Sequence, residues 1–290
     1  MNQFRTLLGA KVDDIEKLHY PLFASTKLDG IRAHWFGKEF LSRTLKAIPN
    51  RNLQTLFSGL KIPEGLDGEL IIGEPNDPNV YRSTNSVLMS HYSAVDTVRF
   101  FVFDNYCAIG NFYRRAESLY DIPPFIVKLD QVLVSTPTEL ADFEENCLRQ
   151  GYEGVCLRAP EGKYKFGRST LSEQYLLKLK RFSDAEATVV GFEELLHNAN
   201  KAILDERGYT KRSSHQDNKV PMGILGSLVV RMGEMQFNIG TGFTESERVE
   251  YWKGRNNLLG HLAKFKYMKH GMKNVPRHPV FLGWRSVVDY

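Results

Sequence analysis

Thr26-Lys27-Leu28-Asp29-Gly30-Ile31-Arg32 places an amine, a carboxylate and a guanidinium within seven residues. The surrounding run, Ser25 to Trp35, reads as a buried or half-buried strand. On such a strand Lys27 and Asp29 share one face while Leu28 points into the core. Gly30 then permits a bend or a close backbone approach. A lysine amine is a nucleophile only when neutral, and at pH 7 a free lysine is neutral in roughly one molecule in 2500. Burial, neighbouring cations or a bound metal ion lowers such a pKa. Taken alone, the same pattern also fits a surface turn with an incidental ion pair.

Further along, Leu66-Asp67-Gly68-Glu69-Leu70-Ile71-Ile72 sets carboxylates into an apolar strand. A buried acid is costly without a partner, so Glu69 is a candidate to accept from a ribose hydroxyl or to help hold Mg²⁺. A strand-end carboxylate facing water is the plainer alternative. Val98 to Asp104 is a third strand and carries Phe103-Asp104. Tyr152-Glu153-Gly154-Val155-Cys156-Leu157-Arg158 again puts a carboxylate ahead of an apolar strand. In Leu177-Lys178-Leu179-Lys180, within a strand read from Tyr175 to Phe182, two lysines share a face. Side by side they repel unless an anion lies between them, and they depress the pKa of a nearby Lys27. An exposed edge strand guarded by lysines gives the same pattern.

Two capping boxes mark helices, Thr136 to Glu139 with proline at the first helical position and Thr244 to Glu247. The first helix runs to about Gln150 and stops at Gly151; the second runs to about Lys253. Arg51 to Leu60 reads as an amphipathic helix. Strands with segregated helices, and no regular βαβ alternation, indicate an α+β class. A boundary near Arg181 to Ser183 separates a motif-dense part from a β-rich, increasingly basic one. His197 to Val220 is polar without an apolar period, a functional loop or a disordered one. Ala187 to Gly191 and Leu225 to Met232 flank it as strands and make it a long hairpin excursion.

The 290 residues suit one large or two smaller domains, and no stretch approaches the ~20 apolar residues of a membrane span. No secretory h-region is visible between Met1 and Leu18. Cys107, Cys147 and Cys156 cannot all pair and lack CxxC spacing, which argues against a disulfide framework or a zinc site. A reducing, cytoplasmic compartment is expected. The net charge of +4 is unevenly placed: Lys253 to Val288 carries eight basic residues and no acidic one. Such a stretch suits a phosphate-rich partner or forms a solvated basic face.

The order of the motifs carries more than any one of them. Lys-x-Asp-Gly-x-Arg, Asp-Gly-Glu, Phe-Asp, Glu-Gly-Val and Lys-x-Lys follow one another as in the covalent nucleotidyltransferases, which include DNA ligases, RNA ligases and capping enzymes. Leu41-Ser42-Arg43-Thr44, Gly162 to Thr170, Asp184 to Thr188, Ile239 to Phe243 and Pro276 to Phe281 extend the likeness over almost the whole chain. It closely resembles the minimal viral ATP-dependent DNA ligases.

The resemblance implies a nucleotidyltransferase, ATP-grasp-like domain at residues 1–181. A β-barrel OB-fold domain follows at 182–290, with a latch-like excursion near 197–220. It implies an enzyme that takes ATP, carries AMP covalently on Lys27, and seals 5′-phosphate/3′-hydroxyl nicks in duplex DNA with Mg²⁺ or Mn²⁺. A monomer serving DNA replication, repair and recombination, in a bacterial or virus-infected cell, is expected. By the same likeness Asp29 orients Lys27 and favours attack by the 3′-hydroxyl. Thr26 lies in the nucleotide site, Arg32 and Glu69 hold the ribose region, and Phe103 stacks on adenine, although Phe103 also fits plain core packing. Glu153 assists Glu69 in metal binding, and Lys178 and Lys180 stabilise charge on the AMP phosphate. Arg43 grips the nick's 5′-phosphate, and Arg168 contacts the nicked strand. Arg285 and Asp289 stand where the family acts on pyrophosphate, but Arg285 to Asp289 lacks a lysine that many relatives carry there. An RNA ligase, a GTP-using capping-type enzyme and a non-catalytic OB-type binding protein are the alternatives. The latch-like segment and the full second domain favour DNA.

Overall fold

The structure is a computed structural model and describes residues 4–122, 124–204, 210–213, 218–269, 272 and 274–285. These fall into two compact units that divide between Lys180 and Arg181. Two five-stranded sheets build the first unit. One is ordered Glu39–Ser42, Ile31–Phe36, Leu66–Ile72, Val98–Asn105, Ile126–Lys128, antiparallel except for its last pair. The other is ordered Ala10–Lys11, Leu177–Leu179, Val155–Arg158, Leu22–Thr26, Val132–Val134.

The expected strand from Ser25 to Trp35 is broken. Leu22–Thr26 belongs to one sheet and Ile31–Phe36 to the other, and residues 27–30 form the crossing. Lys27 and Asp29 therefore do not share a strand face. Leu28, buried beside Ile71, Val80 and Phe101, anchors the crossing. Gly30 allows it: a Cβ there would lie 2.4 Å from the Leu70 carbonyl oxygen. The strand expected from Tyr175 to Phe182 is likewise shorter, because its ladder covers only Leu177–Leu179 and the chain joins a different sheet from Ser183 onward.

Helix ends follow their local chemistry. Asn50 caps Arg51–Ser58 by accepting from the Leu53 N–H at 2.9 Å. Thr136 caps Pro137–Arg149, but Glu139 returns its carboxylate to the N–H of Ser135 rather than to Thr136, so that box is only half closed. The box at Thr244 and Glu247 is complete and opens Glu245–Lys253. Val80–Leu88 and Phe112–Glu117 are further helices that carry no strong cap pattern in sequence.

The second unit is one five-stranded antiparallel sheet, ordered Met235–Ile239, Lys219–Met232, Ser183–Asn198, Leu262–Met268, Arg277–Trp284. A single parallel bridge between Thr241 and Val280 ties its two edges, with the Phe281 N–H donating to the Thr241 oxygen at 2.9 Å. No continuous ladder closes the barrel among the described residues. Ser183–Asn198 and Lys219–Met232 are much longer than the flanking strands read from sequence, and pair out to Asn198 and Lys219. The outer part has Leu196, Val220 and Met222 exposed, so its backbone ladder holds without an apolar face to betray it. Beyond it Ala202–Leu204 pairs with Thr210–Arg212.

Aromatic packing sets the first core: Trp35, Phe40, Phe57 and Phe100 are fully buried, and Phe40 meets the other three edge-on at ring-centroid distances of 4.8 to 5.0 Å. Phe40→Ala is expected to destabilise the unfolding transition of this unit by about 3–5 kcal/mol, read from the denaturation midpoint at unchanged m-value.

Candidate nucleotide and phosphate site

Three adjacent strands deliver the charged groups. Thr26 pairs with Val155, and Val155 with Leu179, so the residues just outside these ladders, Lys27, Glu153 and Lys180, meet at one end of the sheet. The Lys27 N–H donates to the Gly154 carbonyl oxygen at 2.8 Å. Gly154 has φ 151°, and a Cβ on it would lie 2.3 Å from the Leu179 oxygen, so only glycine lets the strands approach this closely. The other sheet contributes Arg32 and Glu69, which are register partners, and Phe103. Between the sheets lies a cavity of about 230 Å³, lined among others by Thr26, Lys27, Asp29, Arg32, Arg43, Glu69, Phe103 and Lys178.

The Lys27 amine is ion-paired with the buried carboxylate of Glu153, and Lys180 reaches the other oxygen of Glu153 at 3.3 Å. Burial alone would push the Lys27 pKa down. The charge of Glu153, the influence of Cys156, the hydrogen bond to Glu153 and the charge of Glu69 outweigh it and hold the pKa above its ordinary value. The expectation that neighbouring lysines depress Lys27 is thereby reversed, because Glu153 sits between Lys27 and Lys180. Glu153 is pushed up by burial, but Lys27 and Lys180 hold it below the usual carboxylate range. Lys178 has its pKa lowered, first by burial and then by Lys27, Arg32 and Arg168, against the pull of Cys156.

Arg32 is committed to Asp67 through two bonds of 2.9 and 2.6 Å, and its guanidinium lies 5.2 Å from the Phe103 ring. Arg158, bonded to Asp104 at 2.7 Å, lies 5.3 Å from the same ring. Phe103 is therefore partly buried and fixed on the cavity wall. Glu69 differs from its acidic neighbours. Burial drives its pKa up to about 7, opposed by Lys27 and Arg32 and reinforced by Asp67 and Asp29.

A second, more open cavity of about 490 Å³ shares Arg43 with the first and adds Arg5, Thr6, Gly167 and Arg168. Arg168 is steadied by a 2.9 Å bond to the Gly9 oxygen. In the second unit Arg285 pairs with Glu186 at 2.6 Å, and its N–H donates to the Leu262 oxygen. Asp289 lies outside the described residues. Sequence reading gave no site role to Arg5, which stands in no pattern, nor to Ser25, Cys156 and Arg158, which lay inside quoted strands but line the cavities. Asp67 lay in plain view beside Glu69 but without its role.

Among the described residues no three His, Cys, Asp or Glu side chains gather into a metal cage. Asp29 and Glu69 on the cavity wall, with Glu153 beside Lys27, are carboxylates of the kind that bind Mg²⁺ one or two at a time alongside phosphates. No helix among the described residues is long and apolar enough to cross a membrane.

Comparison with known proteins agrees with this geometry. Residues 8–180 match the ATP dependent DNA ligase domain, and residues 218–285 the DNA ligase OB-like domain. A DNA ligase of Haemophilus influenzae is 26% identical over 268 residues, covering 90% of this chain and 85% of that protein. A solved Chlorella virus DNA ligase-adenylate is 33% identical over 98% of both chains, with a TM-score of 0.55. A Lig E DNA ligase structure is 28% identical, covers 97% of this chain and 99% of its own, and has a TM-score of 0.71. A nucleotidyltransferase unit whose lysine opens into a cavity between two sheets, followed by an OB unit, places this chain in the family of ATP-dependent DNA ligases.

Proposed function

We propose that this ligase, as a monomer, closes 5′-phosphate/3′-hydroxyl nicks in duplex DNA with Lys27 as its nucleophile. The observation that carries the reading is the Lys27 amine, paired with Glu153, at a cavity that also presents Phe103, Glu69 and Lys178. Lys27 Nζ, once deprotonated, bonds to the α-phosphorus of ATP and pyrophosphate leaves. The nick's 5′-phosphate oxygen next attacks that phosphorus, and the P–N bond breaks to return the amine. The 3′-hydroxyl oxygen finally attacks the 5′-phosphorus, loses its proton and releases AMP.

Each remaining residue has a role consistent with its place. Phe103 stacks on adenine, and Arg32 and Glu69 border the ribose. Thr26 closes the pocket, and Asp29 orients Lys27 and then the 3′-hydroxyl. Lys178 and Lys180 balance charge on the AMP phosphate; removal of either should slow adenylation by about 10²–10³-fold, as for other preorganised donors. Arg43 and Arg168, at the second cavity, hold the 5′-phosphate and the nicked strand. Glu69 and Glu153 are suited to a divalent cation, Mg²⁺ or Mn²⁺, which would neutralise phosphate charge. Arg285 and Asp289 serve pyrophosphate departure. Residues 197–220, of which 205–209 and 214–217 lie outside the described residues, act as a latch on duplex DNA through phosphate contacts.

Several outcomes follow. Wild type incubated with ATP and Mg²⁺ gains an AMP-sized mass at Lys27, and Lys27→Ala gains none; adenylation of a folded Lys27→Ala would remove the nucleophile assignment. Deleting residues 199–219 weakens binding to nicked duplex in a gel-shift assay and leaves lysyl-AMP formation largely intact. Glu153→Gln removes the charge that raises Lys27, so the amine's titration, followed by NMR of isotope-labelled lysine, moves to lower pH. An unmoved midpoint would show that the ion pair does not govern the amine.

A further inference from the structure

His34 is fully buried on Ile31–Phe36, directly opposite Asp67 in the ladder. Its Nε2 lies 2.8 Å from the Thr6 hydroxyl, and that hydroxyl donates to the Arg43 carbonyl oxygen at 2.9 Å. A hydroxyl has one proton to give. Thr6 must therefore accept from His34, which places the ring proton on Nε2. The other nitrogen, Nδ1, lies 3.3 Å from Asp67 Oδ1. Burial pushes the ring's pKa down against the pull of Asp67, with Arg32 adding to the decrease, in keeping with a neutral donor. Phe4 and Tyr106 pack edge-on against the ring at 5.4 and 5.9 Å. Nδ1 makes no hydrogen bond, so the polar attachment of this buried imidazole is its bond to Thr6.

We propose that His34 is a positioning residue for the DNA-side steps: through Thr6 it fixes the backbone at Arg43, and so the aim of that guanidinium. The proposal rests on the reading of Arg43 as the grip on the nick's 5′-phosphate. The two ends of the connection are unequal. Asp67 is held by two bonds from Arg32 and by the Tyr164 hydroxyl at 2.7 Å, so the nucleotide side keeps its geometry without His34. On the Arg43 side the chain runs through the single Thr6 hydroxyl. Loss of the imidazole thus falls on transfer to DNA rather than on enzyme adenylation.

The test compares full-length His34→Ala, His34→Gln, Thr6→Val and Arg43→Ala, each checked for folding by circular dichroism and Tm. Lysyl-AMP formation is timed separately from single-turnover transfer of AMP from preloaded enzyme to nicked duplex. His34→Ala should adenylate itself within about twofold of wild type yet transfer AMP about tenfold more slowly, the scale of one buried hydrogen bond. His34→Gln, whose amide can donate to Thr6, should recover most of the transfer rate. Thr6→Val should match His34→Ala, with the double variant no worse than either. Equal slowing of both steps, or full additivity of the two substitutions, overturns the proposal. If Arg43→Ala transfers normally, the reading of Arg43 fails and the proposal falls with it. If Arg43→Ala is defective while His34→Ala transfers normally, only the role of His34 fails. Should His34→Ala not fold, normal transfer by Thr6→Val overturns the proposal and slowed transfer supports it.

Discussion

An amine and a carboxylate 126 residues apart in the chain are held together at the end of three neighbouring strands, and the chemistry of the site depends on that pairing. Both groups are largely shielded from water, where either charge alone would be expensive. Together, with Lys180 on the second carboxylate oxygen, they are compensated. The consequence is that the Lys27 amine is held in its charged form by the carboxylate beside it.

Two further buried carboxylates hold Arg32 and Arg158, which line the cavity. Asp67 is fully buried and satisfied by Arg32 and Tyr164, while Asp104 is satisfied by Arg115, Arg158 and the Asn105 N–H. Removing Arg32 would leave the Asp67 carboxylate buried without the guanidinium bonded to it, which costs far more than a surface pair gains. Arg32 and Arg158 also face the same aromatic ring, so the surface on which Phe103 presents itself is held from two sides. Groups placed on strands and locked by such neighbours hold their geometry better than groups on loops.

In the second unit, charge and packing are arranged by the strand period. On Leu262–Met268, Ala263 and Phe265 are buried, and Lys264 and Lys266 alternate with them before the register shifts ahead of Met268. The basic run noticed in sequence is, over this strand, the face of a sheet whose other face is the core. The long hairpin of Ser183–Asn198 and Lys219–Met232 obeys the period only where it covers that core. Farther out, its cohesion is a backbone ladder with irregular register near Val189, Glu193 and Glu194.

Local rules made part of this readable in advance. Caps at Thr136 and Thr244, the apolar strand at Leu66–Ile72 and the alternation at Leu177–Leu179 depend on neighbours a few residues away, and the order of the charged motifs pointed to the family. By itself the sequence therefore determined the class of fold, most of its elements and the residue types the chemistry draws on. Only the tertiary structure decided that residues 27–30 cross between two sheets, that Glu153 rather than another acid meets Lys27, and that His34 connects Thr6 to Asp67. It also reversed the sign expected for the Lys27 pKa. The reason is that register and burial between distant strands decide which charges meet and how much water remains, and neither is encoded in the spacing of one segment.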